Sequence, residues 1–139
     1  MGAVQVQQYL GRARDFFKGM EFLKDDLAEY GRSSALLGIH SAISYCDALR
    51  SGLGSESVAS DDHQRAAQEL RSLLVARKRE LGEGINRLER LLSQKSEVAY
   101  SPKRNSRKDV EAIIQDAQRF ALWAEDAGAR LGIEGWRND

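Results

Sequence analysis

Cysteine, proline and histidine are all scarce in this chain of 139 residues. The single cysteine, Cys46, excludes an internal disulfide. With only His40 and His63 beside it, it leaves too few ligands for a zinc site of the usual types, and no metal is expected. Charge of one sign is not in excess either: 21 Lys and Arg stand against 21 Asp and Glu. No global field therefore draws the protein to nucleic acid or to an anionic membrane, and any such binding must come from a local patch. Apolar runs are far shorter than a bilayer needs, so no membrane span is expected. The lone cysteine and the absence of a secretory leader make the cytoplasm the expected compartment. There is no Gly-rich phosphate loop, no GxSxG and no HExxH, and no cofactor is expected.

What the chain does have is helical periodicity. Apolar residues recur every three or four positions almost throughout, and Pro102 is the one proline, so the fold class expected is all-α. The length fits a single domain over residues 1–139. A first helix is read from Val4 to Tyr30, with Val6, Leu10, Ala13, Phe17, Met20, Leu23 and Leu27 as its stripe. A second runs from Ser33 to Ser51, burying Leu36, Ile39, Ile43, Cys46 and Leu49. After the polar link "SGLGSESVAS", Ser60 is the expected cap of a third helix, with Asp61 and Asp62 in its first turn. A fourth begins near Gly84 and ends near Tyr100, because Pro102 disfavours helix in the residue before it. A fifth starts after Asn105 or Ser106, with Asp109 in a capping-box position. The tail "GIEGWRND" reads as irregular. Short connections make this an up-and-down bundle of about five antiparallel helices.

Four polar residues break the apolar pattern. The fourth helix's stripe reads Leu81, Ile85, Leu88, Leu92, Lys95, Ala99, so Lys95 points the way the leucines point. On the second helix Leu36, His40, Ile43 and Asp47 share a stripe. His63 lies on the apolar side of the third helix, and Tyr100 ends the fourth. In an up-and-down bundle Asp47, His63, Lys95 and Tyr100 are expected at one pole, beside the basic loop of Lys103, Arg104, Arg107 and Lys108. Helix N-termini gathered there favour anions. The plainer reading is that Asp47 and Lys95 form a half-buried ion pair.

The segments "LGIHSAISYCDALRSGLG", "DDHQRAAQELRSLL" and "LLSQKSEVAYSPKR…DVEAIIQDAQRFALWAE" resemble the HEPN domain (higher eukaryotes and prokaryotes nucleotide-binding), over about residues 5–127. The resemblance implies a helical bundle, often a homodimer. It also implies a place in toxin–antitoxin modules, in RNA cleavage, or in nucleotide binding beside a nucleotidyltransferase partner. Active HEPN ribonucleases carry Arg, four to six residues, then His, and cut RNA without metal. Here the matching positions hold Lys95 and Tyr100, so the spacing is kept and both residue types are changed. Lysine holds a phosphate as a point charge without a bidentate fork. Tyrosine, with a reference pKa of about 10, is a poor base at neutral pH. The expectation is a non-catalytic HEPN-like module that binds an anion, a nucleotide or RNA through Asp47, His63, Lys95, Tyr100, Lys103, Arg104, Arg107 and Lys108. The alternatives are a metal-independent RNA-cleaving toxin using His63, Lys95 and Tyr100, and a purely structural helical scaffold. A homodimer is expected to bury Phe16, Phe22 and Trp123.

Overall fold

A computed structural model describes residues 2–56, 62–78, 83–102 and 106–137. The fold is all-α, with no strand among the described residues. The helices are α1 (Gly2–Leu23), α2 (Leu27–Gly52), α3 (His63–Ala76), α4 (Gly84–Ser93), α5 (Lys95–Tyr100) and α6 (Arg107–Arg130). The pairs α1/α2, α3/α4 and α4/α6 pack antiparallel, and α2 is the central helix, touching every other one.

Small residues explain that central place. Ser34, Ala35, Gly38, Ser41 and Ala42 line the buried side of α2 and let its neighbours approach closely. Ser34 donates to the Met20 carbonyl at 3.0 Å, and Ser41 to the Ala13 carbonyl at 2.8 Å, so α1 runs down α2 in antiparallel register. A Cβ on Gly38 would lie 2.7 Å from Met20 Sδ and 3.0 Å from Ala117 Cβ, which places the crossing of α1, α2 and α6 at that glycine. Around it the core is aliphatic, with Leu10, Ile39, Leu49, Leu70, Leu88 and Leu91 closing on Phe120.

Three boundaries differ from the sequence expectation. The first helix does not continue to Tyr30. It ends at Leu23, a 3-10 turn covers Lys24–Asp26, and α2 begins at Leu27 under an Asp26 cap. Tyr30 then kinks α2 with φ −115° and ψ 17°. The helix expected from Gly84 to Tyr100 is broken at Gln94. Past the break Val98 is buried, in line with Leu91 seven positions back, and Lys95, read as inward-facing, is half-buried at the start of α5. The third helix starts later than expected, with Asp62 as its cap, accepting from the Arg65 amide at 3.0 Å. Ser60, Asp61 and Leu81 lie outside the described residues. The Ser106 cap holds as read: its hydroxyl accepts from the Asp109 amide at 3.1 Å.

The tail is irregular, as expected, and it is also packed. Gly132, at φ +64°, ends α6 in the left-handed region that favours glycine. Ile133 then fills the notch at Gly52, and Trp136 covers Gly128.

Candidate functional site

The half-exposed floor of the site is the α2 stripe of Leu36, His40 and Asp47, with buried Ile43 between. From α1, the Phe16 ring lies against His40 with centroids 5.6 Å apart. Arg12, stacked over the Tyr9 ring at 5.6 Å, adds positive charge near Asp47. On the other side stand His63 at the start of α3 and Lys95 at the start of α5. Burial lowers the His40 pKa below its ordinary value, the Lys95 charge lowers it further, and His63 adds a smaller push the same way. At neutral pH His40 is therefore an uncharged imidazole facing a lysine and a second histidine. Lys95 has no ion pair among the described residues.

The expected pairing of Asp47 with Lys95 is not formed. Asp47 Oδ1 accepts from Arg50 Nη1 at 3.0 Å, one helical turn away on α2. Arg50 is the largest fully buried side chain, 2 % exposed, and its Nε donates to Glu69 on α3 at 2.7 Å. Ser55 donates to the same Glu69 oxygen at 2.6 Å. Burial raises the Asp47 pKa to about 6, against the opposing pull of Arg50 and Arg12. Beside this network a crevice of about 160 Å³ runs between Ile43, Cys46, His63 and Leu88, too narrow to take in a water molecule. Cys46 lines it as a buried thiol whose pKa burial pushes far up, so it is inert.

The sequence placed eight residues at one pole, and the structure divides them. His63 and Lys95 do meet at α2, with Asp47 lining the same crevice as His63. This happens because α3 starts alongside α2 and ascends beside it, with Glu69 at Arg50 and the Arg77 guanidinium at the Leu53 carbonyl, 3.2 Å away. Tyr100 is 76 % exposed at the far end of α5. Five positions from Lys95, it projects about 140° around the helix, so the two side chains diverge. Arg107 and Lys108 sit at the α1–α2 turn, the end of the bundle away from Arg50, because α6 begins where α2 begins: Val110 packs on Gly31. A hollow of about 700 Å³ opens there between Leu27, Arg32, Arg107 and Val110. Lys103 and Arg104 lie outside the described residues.

Two polar networks escaped the sequence reading. Arg50 falls on the inward stripe four positions after Cys46, and that position was the available signal. The second joins three helices: Arg14 of α1 forks onto Glu125 of α6 with two 2.8 Å bonds, and Tyr45 of α2 donates to Glu125 at 2.7 Å. Burial works against the Glu125 charge, but the Arg14 and Tyr45 bonds outweigh it and hold the carboxyl below its ordinary pKa. The buried Trp136 indole N–H adds the smallest effect, without a well-aligned hydrogen bond. No local motif marks these residues, since 111 positions separate Arg14 from Glu125.

No set of three or more His, Cys, Asp and Glu among the described residues is arranged to hold a metal ion. No described helix is long and apolar enough to cross a membrane. Comparison with known proteins finds no matching family model, no similar curated protein and no similar solved structure.

Proposed function

We propose that the chain is a non-catalytic, HEPN-like binding module that holds the phosphate of a nucleotide or RNA between His40, His63 and Lys95. The observation that carries this reading is the unpaired charge of Lys95, set against two histidines while half-buried Asp47 is engaged by Arg50. An unpaired lysine charge favours an anion, and histidine supplies directional donors once protonated. Tyr100 points elsewhere and supplies no base beside Lys95, which favours binding over cleavage.

The test is an NMR titration of the His40 and His63 imidazoles with inorganic phosphate and with a mononucleotide. An anion in the cluster offsets the Lys95 charge, so the His40 pKa rises on binding and the melting temperature increases with ligand concentration. Lys95→Met keeps the stem and removes the charge, and affinity falls by about 1.5–3 kcal/mol. Imidazole titrations that ignore both ligands, or a Lys95→Met protein that binds as the parent does, overturn the reading. RNA cleavage by the parent, abolished by His63→Ala, replaces it with an active site.

A further inference from the structure

The wall that α1 sets beside the cluster has a pattern of its own. Tyr9, Arg12 and Phe16 recur at spacings of three and four, so they stand in one row along the helix. Tyr9 and Phe16 project within about 20° of each other and lie about 10 Å apart along the axis. Helical spacing alone marks a core stripe, but α1 buries Val6, Leu10, Ala13 and Met20 instead. Tyr9 leans on that core, and both rings keep part of their surface in solvent. Arg12 stands over the Tyr9 ring, and the Phe16 ring meets His40. Because α1 runs antiparallel to α2, the row follows the His40–Ile43–Asp47 stripe, with Phe16 at His40 and the Arg12 charge near Asp47. Lys95 and His63 stand on the opposite side of that stripe. Rings line one wall and cations the other.

We propose that the ligand of the His40–His63–Lys95 cluster is a single-stranded oligonucleotide of at least two nucleotides, with its phosphates on Lys95 and the histidines and its bases stacked on Tyr9 and Phe16. The inference rests on the phosphate-binding reading and names the ligand class which that reading leaves open. Single-strand sites combine cations that track the backbone with aromatic side chains that take successive bases. Arg12, between the rings, adds a planar guanidinium that stacks on a base or forks onto a phosphate. A mononucleotide has one base for two rings. A duplex keeps its bases stacked inside, where neither ring reaches them. The chain has no net charge to draw in a polyanion, so stacking supplies the affinity that a global field does not.

Fluorescence anisotropy of the full chain with labelled oligoadenylates of about two to eight nucleotides tests it, alongside an abasic strand and inorganic phosphate. Affinity rises from the mononucleotide to the short strands and falls about tenfold for the abasic strand. Tyr9→Leu with Phe16→Leu keeps apolar bulk and removes the flat rings. That variant keeps the helical circular dichroism and the parent's affinity for inorganic phosphate, and loses about tenfold or more on oligoadenylate. Tyr9→Phe alone binds as the parent does. A double-leucine variant that binds strands like the parent, or a parent indifferent to the loss of bases, overturns this inference and leaves the phosphate reading standing. A parent that binds neither phosphate nor strands overturns both. A ring-dependent acidic peptide that displaces phosphate where oligoadenylate does not gives the row to a protein partner and overturns the inference. A dimer that the double-leucine variant dissociates, with strand binding unchanged, gives it to a second copy and does the same.

Discussion

Asp47 is held by competing forces that can be separated by titration. Burial raises its pKa to about 6 although Arg50 and Arg12 pull the other way. A carboxyl whose folded pKa lies above the unfolded value binds its proton more tightly when folded. Its contribution to stability is therefore full below the unfolded value near 3.8 and is lost as pH rises through about 6. Asp47→Asn keeps an oxygen for Arg50 and removes the titration, while Glu69 still neutralises the guanidinium. The variant is expected to be more stable than the parent above pH 7 by about 1–3 kcal/mol, with the gap closing towards pH 4. Urea midpoints across that range check it, and parallel pH profiles for the two proteins would count against it. Glu125 has the opposite sense: its depressed pKa gives stability that is present above the unfolded value and lost as the pH falls.

At the scale of helices, glycine sorts by what surrounds it. Gly11 lies mid-α1 with nothing within 4 Å of an added Cβ, so Gly11→Ala is expected to stabilise by about 0.5–1 kcal/mol through helix propensity alone. Gly38→Ala carries the same propensity gain, but its methyl meets Ala117 Cβ at 3.0 Å as well as the movable Met20 sulfur. Separating α2 from α6 to make room costs packing along both helices, so this variant is expected to melt below the parent. Thermal denaturation of the two variants side by side reads the contrast, and equal melting temperatures would mean that the three-helix crossing is looser than its distances. The same scale shows what periodicity reveals and what it hides. The stripes on α1 and α6 were legible because each of these helices buries one continuous face, from Val6 to Met20 or from Val110 to Ala124, whereas α2 is buried on every side from Ser41 to Cys46. The break at Gln94 was not, because Leu92, Lys95 and Ala99 satisfy helical spacing whether or not the helix is continuous. The turn at Lys24–Asp26 was hidden for a related reason: Leu23 and Leu27 keep the four-residue spacing across it.

For the whole molecule, the candidate site was half legible. That His63 and Lys95 come together followed from reading both as misfits on apolar faces. Their joint partner, His40, and the removal of Arg107, Lys108 and Tyr100 from the site depended on helix direction, which composition does not encode. The part-buried pairs Arg50–Glu69 and Arg14–Glu125 bridge those helices, and each is a match between residues that look ordinary in their own segments. One such match has a topological meaning. Gly135 rests on the Ala3 carbonyl, and the Arg14 guanidinium holds the Arg137 carbonyl, so positions 3 and 137 come together at one end of the bundle. The path from one to the other is almost a closed ring, and a ring has no privileged starting point. A circular permutant that joins residue 137 to residue 2 through a short Gly/Ser tether and opens after Ser101 is expected to keep the helical spectrum and a cooperative melt. A permutant without cooperative melting would mean that the order in which α1 and α6 are laid down, and not only their contact, is part of what holds the bundle.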